Sequence, residues 1–151
     1  MSSVPPDLTG IPRPHVDADS APFWAAAREH RLVIQRCDQC GRYRFPPRPS
    51  CPGCRSSAAG WVQLSGVGRL VSWVVTRHVT QPAFARQLPY TVLYVELAEQ
   101  PGLMMYGNLR GDATPLHVGD PLRAVFEDVD DELTVVQWQP AQHRRDRNRL
   151  G

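Results

Sequence analysis

Outside one short segment the chain has no cysteine, since all four lie between residues 37 and 54. With no thiol to spare, neither a cysteine nucleophile nor a disulfide-stapled secreted scaffold is expected. No apolar run approaches the roughly 20 residues that a membrane span needs, and Met1-Ser2-Ser3-Val4-Pro5-Pro6 lacks the hydrophobic segment of a secretory signal. The expected setting is therefore a reducing cytoplasm with no membrane contact. Charge of one sign is scarce as well: 17 basic against 15 acidic residues leave a formal net charge of +2 and a pI near 8.5. That is far from the single-sign field of a dedicated nucleic-acid binder.

Catalytic signatures are missing too. Neither a G-x-S-x-G elbow nor a G-K-[ST] phosphate loop occurs. Gly66-Val67-Gly68 is followed by Val71 where a dinucleotide fingerprint needs glycine, and it leads into a strand pattern, so it reads as a bend. Glu127, Asp128, Asp130, Asp131 and Glu132 crowd one turn, where solvated charge is expected. His78, next to Arg77, is the one histidine beside a candidate groove, and its ordinary reading is a surface or core histidine.

Cys37-Asp38-Gln39-Cys40-Gly41 and Ser50-Cys51-Pro52-Gly53-Cys54 place two C-x-x-C pairs ten residues apart. Two intervening residues let each pair fold into a knuckle that aims both sulfurs at one centre, and Gly41 can take the positive φ that closes the turn. Four thiolates at about 2.3 Å suit zinc, with iron of the rubredoxin kind as the alternative. Four cysteines saturate the ion and leave no position for a water nucleophile, so Cys37, Cys40, Cys51 and Cys54 are expected to form a structural site.

At 151 residues the chain suits one core plus a small metal-stapled module. Residues 1–18, with four prolines, predict an extended arm. Ser20 as cap and Pro22 in the first turn predict a helix over about 20–30, on which Phe23 and Trp24 either pack on the protein's own sheet or anchor a partner. Residues 31–36 and 42–45 read as the strands of a zinc ribbon, with the arginines among Arg42-Tyr43-Arg44-Phe45 pointing to water. Strands follow at 61–64, 69–80, 90–97, 103–108, 122–128 and 133–138, with a loop at 81–89. Within 69–80, Val71, Trp73, Val75 and Val79 alternate against Leu70, Ser72, Val74, Thr76 and His78. The fold expected is mainly β, with an N-terminal helix and a rubredoxin-like zinc ribbon at 19–60, a five-stranded OB-fold barrel at 61–141, and a disordered basic tail at 142–151.

Phe23-Trp24, Gln35-Arg36-Cys37-x-x-Cys40-Gly41, Phe45-Pro46-Pro47-Arg48, Cys51-Pro52-x-Cys54, Trp61, Ser65-Gly66-x-Gly68 and Pro89-Tyr90 together resemble the acyl-CoA-associated zinc-ribbon/OB-fold proteins, long catalogued as a domain of unknown function. Val118-Gly119-Asp120-Pro121 and Phe126-Glu127 look like that family's later strands. The resemblance implies a non-catalytic zinc-binding scaffold subunit. Its partner would be a thiolase-fold enzyme, either a thiolase or a steroid side-chain aldolase, or a MaoC-like enoyl-CoA hydratase on a separate polypeptide. It also implies help in binding acyl-CoA, for which side-chain chemistry suggests Arg69, Arg77 and His78 toward the phosphates and Trp73 and Tyr90 along the pantetheine arm. The competing reading is a single-stranded nucleic-acid-binding OB protein, whose affinity would fall steeply with salt.

Overall fold

The computed structural model describes residues 7–112 and 115–141. The basic tail expected at 142–151 and the first six residues of the arm lie outside the described residues. Helix α1 (Ala21–Arg28) begins where Pro22 occupies the first turn, the place where a missing N–H costs nothing. The Ser20 hydroxyl does not cap it. Ser20 has helix-like angles (φ −97°, ψ −15°), which turn its side chain back, so that its hydroxyl donates to Asp17 Oδ1 at 2.7 Å and its N–H to the same oxygen at 2.8 Å.

Strands β1 (Val33–Cys37), β2 (Tyr43–Arg44) and β3 (Ala59–Gln63) form an antiparallel sheet in the order β2-β1-β3. β3 straddles the boundary expected at 60/61, and its ladder runs to β1, so Trp61 to Gln63 hydrogen-bond within the ribbon. The second sheet comprises β4 (Val67–Thr76), β5 (Tyr90–Leu97), β6 (Met104–Asn108), β7 (Pro121–Asp128) and β8 (Thr134–Pro140), antiparallel in the order β6-β5-β4-β7-β8. A parallel bridge from Leu109 to Trp138 and the bond from Arg110 N–H to Trp138 O (2.7 Å) draw the two outer strands together and curl the sheet into a barrel. The loop at 81–89 holds a four-residue helix, α2 (Pro82–Ala85), started by Pro82.

A bulge in β4 overturns the alternation expected there. Leu70 faces Val95 and Ser72 faces Tyr94, leaving Val71 as an extra residue. An inserted residue shifts the side-chain phase by one, so Leu70 and Trp73 share the inward face that strict alternation would divide between them. The strand ends at Thr76, short of the expected residue 80.

The core joins both lobes: Ile34, Leu70, Leu93, Leu97, Leu122 and Trp138 are fully buried, and Phe23 reaches in from α1. Phe23 is 5% exposed, edge-on to Trp24 and against Phe45. Its ring is spent on this core, the first of the two roles weighed for it, while Trp24 is only partly buried. The described part of the arm lies on the barrel. Leu8, Ile11 and Pro14 are half-buried, with a turn at Thr9-Gly10 in which Ile11 N–H donates to Leu8 O (3.4 Å). Asp7 pairs with Arg86 beyond α2 (2.6 Å) and Arg13 with Asp130 in the β7–β8 turn, tying the arm at both ends.

That turn is not simply solvated charge. Asp128 accepts from the Thr134 hydroxyl and from His30, which hold its carboxyl below the usual range. Glu127 takes a two-pronged bond from Arg110 (2.6 and 2.7 Å), with both side chains under 20% exposed, and Gln137 Nε2 donates to it as well. Replacing Glu127 by Ala strands a largely buried guanidinium, so Glu127→Ala is expected to cost about 2 kcal/mol, read as a lower urea midpoint with unchanged slope.

Candidate metal centre

The two cysteine knuckles are built alike. Cys37 N–H donates to Arg42 O (2.9 Å) and Gly41 N–H returns to Cys37 O (3.0 Å); Cys51 N–H donates to Ser56 O (2.8 Å) and Arg55 N–H returns to Cys51 O (2.9 Å). In each, the residue after the second cysteine has positive φ, Gly41 at 75° and Arg55 at 66°. An L-residue pays about 1–2 kcal/mol for that conformation, so Arg55→Gly is expected to stabilise the ribbon by roughly 1 kcal/mol. Thermal unfolding of the metal-loaded chain measures it.

The loops bring the four sulfurs together. All four Sγ atoms lie within 4.8 Å of one another, with Cys37 to Cys54 at 3.5 Å and Cys40 to Cys51 at 3.6 Å. A tetrahedron of sulfurs about 2.3 Å from a central ion has edges of about 3.8 Å, so the cage fits a tetrahedral divalent ion. Backbone N–H groups aim at two of the sulfurs, Cys40 N–H at Cys37 (3.5 Å) and Gly53 N–H at Cys51 (3.4 Å). Those of Cys54 and Gly53 bring the Cys51 thiol down to about 6. The Ser56 N–H also lowers Cys54, but burial and the three crowding thiols prevail and push it up to about 11. The cage thus favours the thiolate at Cys51 and the thiol at Cys54. Zinc uptake by the metal-free chain is expected to release fewer than four protons, since a thiol that is already ionised has none to give. Calorimetry in buffers of differing ionisation enthalpy counts them.

A divalent ion with four thiolates carries a net charge of −2, and an arginine lies on each knuckle. Arg36 Nε donates to Gly41 O (3.0 Å) with its guanidinium over Tyr43, and Arg42 Nη1 comes within 3.5 Å of where a Cβ on Gly53 would sit. Arg44 does not point to water as expected. It is 4% exposed and donates to Gln35 Oε1 (2.8 Å) and Arg48 O (2.9 Å), while Arg48 N–H donates to the same Gln35 oxygen (2.8 Å), pinning the proline turn between the knuckles. The barrel grips the ribbon through Gln100, whose amide accepts from Tyr43 N–H (2.9 Å) and donates to Tyr43 O (3.0 Å). Sequence reading missed Gln35 and Gln100, since nothing in a lone glutamine signals a buried or bridging amide.

The residues proposed to meet CoA do not form one cluster. Trp73, Arg77, His78 and Tyr90 fall at the far end of the β4–β5 ladder, where Thr76 faces Tyr90. Arg69 stands at the other end, its guanidinium on Glu96 (2.6 and 2.9 Å). Tyr94, half-buried, and Tyr106, exposed, stack at 4.5 Å on the barrel's outer face, an aromatic pair not singled out in the sequence.

A four-sulfur ribbon hydrogen-bonded to a five-stranded barrel defines the class of zinc-ribbon/OB-fold proteins. The chain belongs to the ChsH2/DUF35 family: residues 24–58 match the family described as "ChsH2, rubredoxin-like zinc ribbon domain" and residues 61–127 "ChsH2, C-terminal OB-fold domain". A Methanocaldococcus jannaschii "DUF35 domain-containing scaffold protein" is 34% identical over 72% of this chain and 79% of its own length. A Mycobacterium tuberculosis "3-oxo-4,17-pregnadiene-20-carboxyl-CoA hydratase alpha subunit" is 37% identical over 92% of this chain. The chain spans 40% and 44% of the lengths of two curated hydratase-subunit relatives that it matches. The solved structure titled "Ltp2-ChsH2(DUF35) aldolase" contains a chain 39% identical to this one, aligned over 86% of this chain and all of that chain with a TM-score of 0.77.

Proposed function

We propose that this chain is a zinc-binding, non-catalytic scaffold subunit that docks on a thiolase-fold enzyme acting on acyl-CoA, with an aldolase of steroid side-chain degradation as the favoured partner. The observation that carries this reading is the match to the full length of a chain in a solved aldolase assembly, at 39% identity. Its chemistry agrees: four thiolates fill a tetrahedral ion, so zinc at Cys37, Cys40, Cys51 and Cys54 would supply a rigid cross-link and no Lewis-acid site. The hydratase-subunit relative supports an enoyl-CoA hydratase as a second enzyme in the same assembly.

Trp73, Arg77, His78 and Tyr90 remain the proposed contacts for acyl-CoA, at the end of the β4–β5 ladder. Arg69 joins them only if its pair with Glu96 opens. Affinity purification of the tagged full chain from its native host tests the function. Recovery of a thiolase-fold acyl-CoA enzyme, retained at roughly 0.5 M salt as an apolar interface allows, supports it. Recovery of nucleic acid that salt releases, or thioester turnover by the isolated chain, overturns it.

A further inference from the structure

One side of the barrel sheet is open. β4 pairs with β7 only at Val67, Gly68 and Arg69, and the segment before β7 adds two bonds at Leu70, whose N–H donates to Asp120 O (2.9 Å) and whose carbonyl accepts from Gly119 N–H (2.7 Å). From Ser72 to Thr76 the strand is paired on its β5 side alone, and no described residue hydrogen-bonds to the backbone of its other side, nor to that of the bulged Val71. This open stretch, Val71-Ser72-Trp73-Val74-Val75-Thr76, is β-branched and aromatic, with no charge and no proline. Trp73, Val74 and Val75 are 38%, 59% and 42% exposed. Proteins ordinarily guard such an edge with lysine, proline or a bulge inside it. Here the bulge falls at Val71, where the open stretch begins, and the chain contains no lysine.

We propose that the open edge of β4 is a docking edge that takes up an extended segment of the partner enzyme as an added strand, its main chain completing the ladder. This rests on the scaffold reading above. The edge specifies its occupant. Val74 projects to the outer face and Trp73 and Val75 to the inner one, all exposed, so the added strand is uncharged and apolar on both faces. Arg77 and His78 follow the edge, exposed and without a described partner, so the segment carries carboxylates at the end that meets them, and the docked segment and acyl-CoA are alternative occupants of this end of the ladder. A second copy of this chain meets like charge in the two most symmetric registers. Antiparallel pairing centred on Trp73 sets Arg77 of each copy opposite Arg69 of the other, and in-register parallel pairing sets Arg77 beside Arg77.

The test is hydrogen exchange on the zinc-loaded full chain, alone, with the acyl-CoA enzyme recovered with it, and with a short capped peptide of alternating valine and isoleucine ending in glutamates. Amides of Val71–Thr76 that face the open side are expected to slow about tenfold with either probe. Val74→Lys and Val75→Lys should each weaken enzyme capture about tenfold while melting within a few degrees of wild type. Arg77→Glu should weaken it and Arg77→Lys preserve it. Unchanged exchange with both probes, wild-type capture by both lysine variants, or a dimer lost in Val74→Lys overturns the proposal. If the wild-type chain retains no acyl-CoA enzyme, the scaffold reading fails and the peptide decides the edge on its own.

Discussion

Cys51→Ser is expected to strip the metal from the chain and unfold the ribbon. The Cys51 sulfur sits 2% exposed at the centre of the second knuckle, 3.6 Å from Cys40, and a serine oxygen cannot replace a thiolate toward zinc. Because structural zinc supplies on the order of 10 kcal/mol to such modules, losing one ligand should remove most of the order in residues 33–63. Metal analysis should fall from one ion per chain to near zero, and amide exchange in β1 and β3 should lose its protection while the barrel melts separately. A Cys51→Ser chain that kept both its metal and its ribbon would show that the cage is not what holds this lobe.

The second large effect lies in the barrel. Trp138 is fully buried, and Gly107 on the neighbouring strand leaves room for it: a Cβ on Gly107 would stand 2.6 Å from Trp138 Cδ1 and 3.1 Å from Val136 O. Trp138→Ala opens a cavity at the heart of the core and is expected to cost about 4 kcal/mol. Gly107→Ala inflicts the opposite fault, overpacking, at about 2–3 kcal/mol. The two are coupled through one contact, so Gly107→Ala should cost less in a Trp138→Leu background than in wild type. Urea titrations of the four proteins give the coupling, and strict additivity would mean that the glycine serves the backbone instead of the tryptophan.

Much of this architecture is written in local pattern. The C-x-x-C spacing identifies the cage because two residues suffice to define a knuckle, and the strands from Tyr90 onward follow from β-branched runs ended by Gly102 and by Gly119-Asp120-Pro121. What was illegible depends on partners distant in sequence. The bulge at Val71 exists because of register with β5, and no property of Val71 itself announces it. Arg44 is buried because Gln35 and the Arg48 carbonyl meet it there, and a charged residue between two aromatics otherwise reads as solvent-facing. Ser20 has the right chemistry for a cap, but the nearby Asp17 carboxylate takes its hydroxyl. The family resemblance covers what local pattern cannot, and it extends over both lobes.

The Gln100 amide has a bearing on how the molecule works as a unit. Its two bonds to Tyr43 stand in for one rung of a ladder between hairpin and ribbon. Orientation and metal retention are therefore set by different atoms. Shortening this one side chain would loosen the hairpin's hold on the sulfur-bearing lobe with the ion still in place, leaving the shared core to keep the angle between the lobes.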